Sequence, residues 1–163
     1  MSLRVDFVET SRAWRGLAAR AIARQAIAAA AVECGIALRR GAEISVHLVG
    51  DADIKVLNAQ WRGVNAPTNV LSFPAADPAR LPQARLLGDV LIAFETVSRE
   101  AEQEHKTFAD HYRHLVVHGF LHLLGFDHIA DAQAEAMEAL ETRVLARLGV
   151  ADPYAASQLA GVA

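Results

Sequence analysis

"HGFLHLLGFDH", residues 118–128, holds three histidines spaced four and then six residues apart. On a helix, positions 118 and 122 lie one turn apart and project from the same face. Gly125 is suited to stop that helix, because glycine enters the left-handed conformation without steric cost. The chain can then fold back and bring His128 toward the first two rings. Three neutral imidazoles, each at about 2.0–2.1 Å from one ion, leave a fourth tetrahedral position open, the pattern of a catalytic zinc site. The stretch therefore predicts a helix, a sharp stop, and a metal site built across the stop from His118, His122 and His128. Zinc, one ion per chain, is expected; imidazole also suits nickel, copper or another divalent ion.

The helix that carries this site begins upstream. Thr107-Phe108-Ala109-Asp110 has capping-box spacing, with Asp as the weaker partner at its third position. His114 falls one turn before His118, and His111 three residues further back. Either could be a fourth ligand; because His114 and His122 are two turns apart, about 11 Å of rise, a supporting or core role fits both better. Asp127 has two readings: it orients a ligand histidine through the ring N–H, or it caps the turn.

Around this helix the chain reads as α+β. "LRVDFV" alternates as a strand does. Ser11 can cap a long alanine-rich helix running to Cys34, with Trp14, Leu17, Ala21, Ala28 and Val32 inward. "EISVHLVG" is a second strand with Ile44, Val46 and Leu48 on one face and His47, an ordinary strand histidine, on the other. "DADIKVLNAQWR" is a short helix capped by Asp51. Pro67 and Pro74 bracket a strand at Asn69–Phe73, residues 75–85 form a loop, and "LLGDVLIAF" is apolar enough to be a central strand. Helices follow from Thr96 to Glu104 and from Asp131 to near Gly149. Strands and helices do not alternate regularly, which predicts a small mixed β-sheet flanked by helices. Residues 1–150 read as a single metal-dependent hydrolase-like domain and 151–163 as a loose tail.

Composition bounds the function. With 163 residues and 53 % hydrophobic content the chain can bury one core. The single cysteine, Cys34, excludes an internal disulfide framework and reads as a small buried residue. The most apolar N-terminal stretch, residues 21–38, carries Arg24 and Glu33 and is a poor membrane span. The first ten residues lack a signal-peptide pattern, so a cytoplasmic location is expected. Net charge is −3, but eleven Lys/Arg face seven Asp/Glu in residues 1–85, and five face twelve in 86–163. Arg12, Arg15, Arg20, Arg24, Arg39 and Arg40 are candidates for phosphate contact, although a solvated face explains them equally well.

The spacing H-x-x-x-H-x-x-G-x-x-H is shared with metzincin proteases, whose second position is the glutamate that takes a proton from water. Here that position is Gly119, and Met137 sits in a helical pattern rather than a Met-turn. Both auxiliary parts of a peptidase are missing.

The string H-G-x-L-H-L-x-G-F-D-H resembles the signature of the bacterial YbeY family of metal-dependent endoribonucleases. "LNAQWRGVNAPTNVLSFP" resembles the family's second signature, and "LGDVLI" and "MEALE" fall where the family has counterparts. The resemblance runs from Glu43 to Leu148. Asn69 stands where the family usually has aspartate, so it is assigned no role, and Phe126 stands where tyrosine is common. The resemblance implies His118, His122 and His128 as metal ligands at the bottom of a groove and Arg62 as the conserved cleft arginine with a catalytic role. It also implies a zinc-dependent single-strand endoribonuclease of rRNA maturation, at the 16S 3′ end, and of ribosome quality control. The implied partners are single-stranded RNA, rRNA, the small ribosomal subunit and its assembly factors, with no DNA and no membrane. The alternatives are a metallopeptidase and a non-catalytic ribosome assembly factor. In an RNA-cleaving site, glycine at 119 would spare the polyanion a repelling carboxylate and let it approach closely. A guanidinium at 62 would pair with phosphate through two parallel donors.

Overall fold

The computed structural model describes residues 2–155. Four strands, β1 Arg4–Glu9, β2 Glu43–Val49, β3 Val70–Pro74 and β4 Leu86–Ala93, form one sheet in the order β1-β2-β4-β3. The first three in that order are parallel, and β3 runs antiparallel to β4. The sheet is mixed, as expected, and β4 is central. Among the described residues five α-helices flank it: α1 Ala19–Glu33, α2 Asp51–Arg62, α3 Phe94–Gln103, α4 Phe108–Leu123 and α5 Asp131–Arg147.

Period-two patterning decides what each sheet face buries. Ile44, Val46 and Leu48 of β2, with Val90 and Ile92 of β4, point to the face covered by α1, α4 and α5 and are at most 1 % exposed. Val49, Leu71, Leu91 and Ala93 point to the other face and pack against Ile54 of α2. His47 lies on that second face, where its Nε2 is 2.9 Å from Asp89 Oδ1. None of the described helices is long and apolar enough to cross a membrane.

The N-terminal helix differs from its expectation. Ser11 Oγ does accept from a backbone N–H, that of Ala13, but it caps only a 3-10 turn at Arg12–Trp14. Gly16 (φ +78°) and Ala18 (φ 54°) then take the left-handed conformation, and α1 starts at Ala19. The inward side chains are Ala19, Ala23, Ala26, Ile27 and Ala30, while Leu17, Ala21, Ala28 and Val32 are exposed. The break exists because Trp14 is anchored elsewhere: its indole N–H donates to Val49 O at 2.9 Å, and its ring packs on Phe94, Phe108 and Tyr112. Counting the helical phase from Trp14 through the break gives the wrong face.

Two smaller corrections follow the same logic. Gly50, not Asp51, is the α2 cap; Asp51 Oδ1 accepts from Thr96 N and Thr96 Oγ1 and so caps α3, while Glu95 accepts from Asp51 N at 3.0 Å. The two helix starts satisfy each other's orphan donors. The segment 75–85 contains a 3-10 turn, Pro78–Gln83, capped by Asp77. Cys34 is half-buried, and burial raises its thiol pKa.

Candidate metal centre

Helix α4 begins as its sequence implies, with Thr107 Oγ1 accepting from Asp110 N at 3.1 Å. Its end is a Schellman motif. Gly125 takes φ +93°, its N–H donates to His122 O, and the Phe126 N–H donates to Leu121 O. The reversal returns the chain toward the helix and delivers His128. Asp127 Oδ1 accepts from the His128 backbone N–H at 2.7 Å, so its observed contact is that of a turn cap.

The three histidines converge. One ring nitrogen from each of His118, His122 and His128 lies within 4.8 Å of the other two. His118 Nε2 and His122 Nε2 are 3.0 Å apart, and the His128 ring centroid is 5.7 and 5.0 Å from theirs. A tetrahedral ion with nitrogens at about 2.0–2.1 Å sets them about 3.3 Å apart, so the cluster fits such an ion with small movements. Burial lowers the His122 pKa, and the neighbouring His118 and His128 lower it further. Both effects favour the neutral imidazole that ligates a metal.

The carboxylate behind this site is Glu141, which the sequence reading did not single out. It lies on α5, 0 % exposed. Its Oε1 is 2.5 Å from His118 Nδ1, and its Oε2 is 3.2 Å from His114 Nε2. Burial alone would raise the Glu141 carboxyl; the hydrogen bonds from His114 and His118 outweigh it and hold it at about 2. An ionised Glu141 keeps the proton of His118 on Nδ1 and leaves Nε2 free for a cation, the carboxylate–histidine–metal arrangement. A signal was present: Met137, Leu140, Glu141, Val144 and Leu145 form one buried stripe, and a charge inside an apolar stripe needs a partner. His114 therefore faces Glu141 rather than the trio, and His111 pairs with Glu100 Oε1 at 2.8 Å.

A groove of about 530 Å³ opens over the trio. It is lined by Arg62 at the end of α2, by residues of the loop and strand from Thr68 to Pro74, and by the histidines with the 125–128 turn. Gly63 (φ +69°) ends α2 beside Arg62, and the buried Asn58 donates to Ala66 O at 2.8 Å, which pins the loop that follows. Arg62 is exposed and makes no ion pair among the described residues. Asn69 donates to Glu100 at 3.0 Å. An aspartate at 69 would instead oppose that carboxylate. Of the arginines considered for phosphate, Arg20 and Arg24 sit over the Phe7 ring, whereas Arg39 and Arg40 join Arg85 around a separate cleft.

Gly119 has a different reason from the one expected. A Cβ there would meet Val90 Cγ1 at 2.6 Å, Val70 Cγ2 at 3.1 Å and Ser72 Oγ at 3.2 Å. Its carbonyl accepts from Ser72 Oγ at 2.9 Å. The glycine lets α4 lie close on β3 and β4 instead of clearing a path for substrate. Gly119→Ala is expected to destabilise the fold by about 1–3 kcal/mol through overpacking, because the buried, β-branched Val90 has little room to turn. Thermal unfolding checks this; an unchanged Tm would refute it.

Comparisons with known proteins agree with this architecture. A family model described as Endoribonuclease YbeY matches residues 8–149. The chain is 59 % identical over 119 residues to the Endoribonuclease YbeY of Bradyrhizobium sp. (strain BTAi1), covering 70 % of each chain. It is 49 % identical over 151 residues to that of Methylocella silvestris, covering 92 % of this chain and 85 % of the relative. The solution structure of TM1509 from Thermotoga maritima shares the fold, with a TM-score of 0.55 at 24 % identity over 90 % of this chain and 91 % of that one. With the family model spanning every residue that lines the groove and its histidine trio, the chain belongs to the YbeY endoribonuclease family.

Proposed function

We propose that this protein is a metal-dependent endoribonuclease acting on single-stranded RNA, with zinc held by His118, His122 and His128. The observation that carries the reading is the groove itself: Arg62, which has no ion-pair partner among the described residues, and three convergent imidazoles line the same groove. Single-stranded RNA fits because the groove is open and polar, and because guanidinium binds phosphate oxygens through paired donors. When bound, a divalent cation supplies a Lewis acid for the scissile phosphate. Arg62 holds the charge that develops on the remaining phosphate oxygens. Glu141 keeps His118 oriented, and Asp127 holds the turn that presents His128. Maturation of the 16S rRNA 3′ end, ribosome quality control and a small-subunit partner are carried by the sequence resemblance.

Two observations weigh against a peptidase. Position 119 has no room for a glutamate, and Met137 is buried in α5 instead of supporting a turn beneath the metal. Metal-loaded protein offered single-stranded RNA and casein side by side is expected to cleave only the RNA; cleavage of casein alone would overturn the assignment. If chelation unfolds the protein and the loaded form cleaves neither, a structural ion in an assembly factor is the better reading.

Arg62→Ala is expected to lower RNA cleavage by about 10–100-fold, the value of one charge-assisted hydrogen-bonded contact. Zinc affinity should stay at the wild-type level, since Arg62 is not a ligand. Cleavage rates and a zinc titration on the same preparation check both halves, and unchanged cleavage would remove Arg62 from the site.

A further inference from the structure

The buried Glu141 carboxylate has a third donor besides His118 and His114. The Tyr154 hydroxyl donates to Glu141 Oε2 and lies 3.2 Å from His114 Nε2, with its ring edge-on to His114 at a centroid distance of 5.5 Å. Tyr154 comes from the segment after α5, beyond the residues 8–149 that the family model matches. Residues 151–155 of the expected loose tail are tied down locally, and 156–163 lie outside the described residues. Asp152 Oδ1 accepts from Tyr154 N at 2.8 Å and from Thr142 Oγ1 at 3.3 Å, which fastens the segment to α5.

We propose that Tyr154 is a positioning residue for the metal ligand His118, acting through Glu141. The argument is geometric. A carboxylate can rotate about its last bond, and its orientation sets where the His118 ring points. His118 binds one Glu141 oxygen, while His114 and Tyr154 bind the other. The second pair of donors stops the rotation, so His118 is held before any ion arrives. Losing a group that supports a ligand in this way typically weakens metal binding about 10–100-fold. The inference rests on the reading of the histidine trio as a metal site, and it adds to that site a residue from the chain's C-terminal segment.

The test uses the full-length protein and Tyr154→Phe, which keeps the ring against His114 and removes only the hydroxyl. Zinc titration against a competing chelator is expected to show an affinity loss of about tenfold, within the range for supporting residues. Zinc-free Tyr154→Phe should stay folded and melt somewhat below wild type, since it loses one hydrogen bond to a buried carboxylate. Glu141→Gln is expected to weaken zinc binding as well, and the double variant should be no weaker than Glu141→Gln alone, because Tyr154 acts through that carboxylate. Nitrogen-15 NMR of zinc-free protein supplies a second readout: His118 should hold one tautomer, protonated at Nδ1, in wild type and a mixture in Tyr154→Phe. Wild-type affinity with a wild-type His118 spectrum in Tyr154→Phe would overturn the proposal, as would additive losses in the double variant. If wild type itself takes up no zinc, the metal reading fails, and the His118 spectrum alone then decides the role of Tyr154.

Discussion

His122→Ala is expected to abolish zinc uptake and RNA cleavage together. His122 is the middle ligand: its ring centroid is 4.5 Å from that of His118 and 5.0 Å from that of His128. Removing it leaves two nitrogens from separate segments, and two ligands do not hold an ion against water as three do. The loss in zinc affinity should exceed the roughly 10–100-fold typical of residues that only support a ligand. Cleavage of single-stranded RNA should fall to the level of chelated wild type. The pH dependence follows from the same site. A ligating imidazole must be neutral, so zinc uptake weakens as pH falls below the ordinary histidine value of about 6.5. Burial, and then the neighbouring rings, push the His122 pKa below that value, which favours its neutral, ligating form. A chelator-competition titration and an RNA cleavage assay on one preparation check the prediction, with circular dichroism as the control for folding. Wild-type cleavage by His122→Ala would remove the trio from the chemistry.

The second large effect belongs to Glu141 and appears in stability. Its carboxyl sits at about 2 in the fold, against an ordinary value of 4.5. Burial pushes it up, but the His114 and His118 hydrogen bonds push it down further. A depressed folded-state pKa means that the stabilisation is full above the unfolded value and is lost as pH falls from about 4.5 toward 2. The gap corresponds to about 3 kcal/mol of stability in metal-free protein at neutral pH. Glu141→Gln should therefore be less stable than wild type at pH 7 by about that amount, and the difference should shrink as both proteins are taken to pH 3. Urea unfolding of the two metal-free proteins at pH 7, 4.5 and 3 makes the comparison, and other carboxylates cancel in the difference. A difference that stays constant with pH would mean that the Glu141 charge does not hold the two histidines.

The residues that misled the sequence reading share one property: their partners are remote in the chain. Trp14 breaks the N-terminal helix because its indole N–H finds Val49, 35 residues away. Asp51 caps α3 instead of its own helix because Thr96 lies 45 residues on. Glu141 was passed over in favour of Asp127, which is adjacent to His128 in sequence, although the carboxylate that reaches a ligand ring comes from another helix. Gly119 suggested room for substrate; only the packed sheet shows that Val90 occupies the place its side chain would need.

What the sequence by itself determined are the features with partners inside one or two turns. Thr107 caps α4, Gly125 stops it, and the four- and six-residue spacing of the histidines carries them to one point. The alternation in residues 43–49 likewise set which face of β2 is buried. Tertiary structure alone decided the phase of α1, the groove that Arg62 and the trio both line, and the buried Glu141 with its donors. Capping and periodicity are local: their hydrogen bonds and burial repeat with the period of the element itself. A buried carboxylate or a close helix–sheet approach depends on what the fold brings from elsewhere to desolvate and satisfy it, and no spacing along the chain records that.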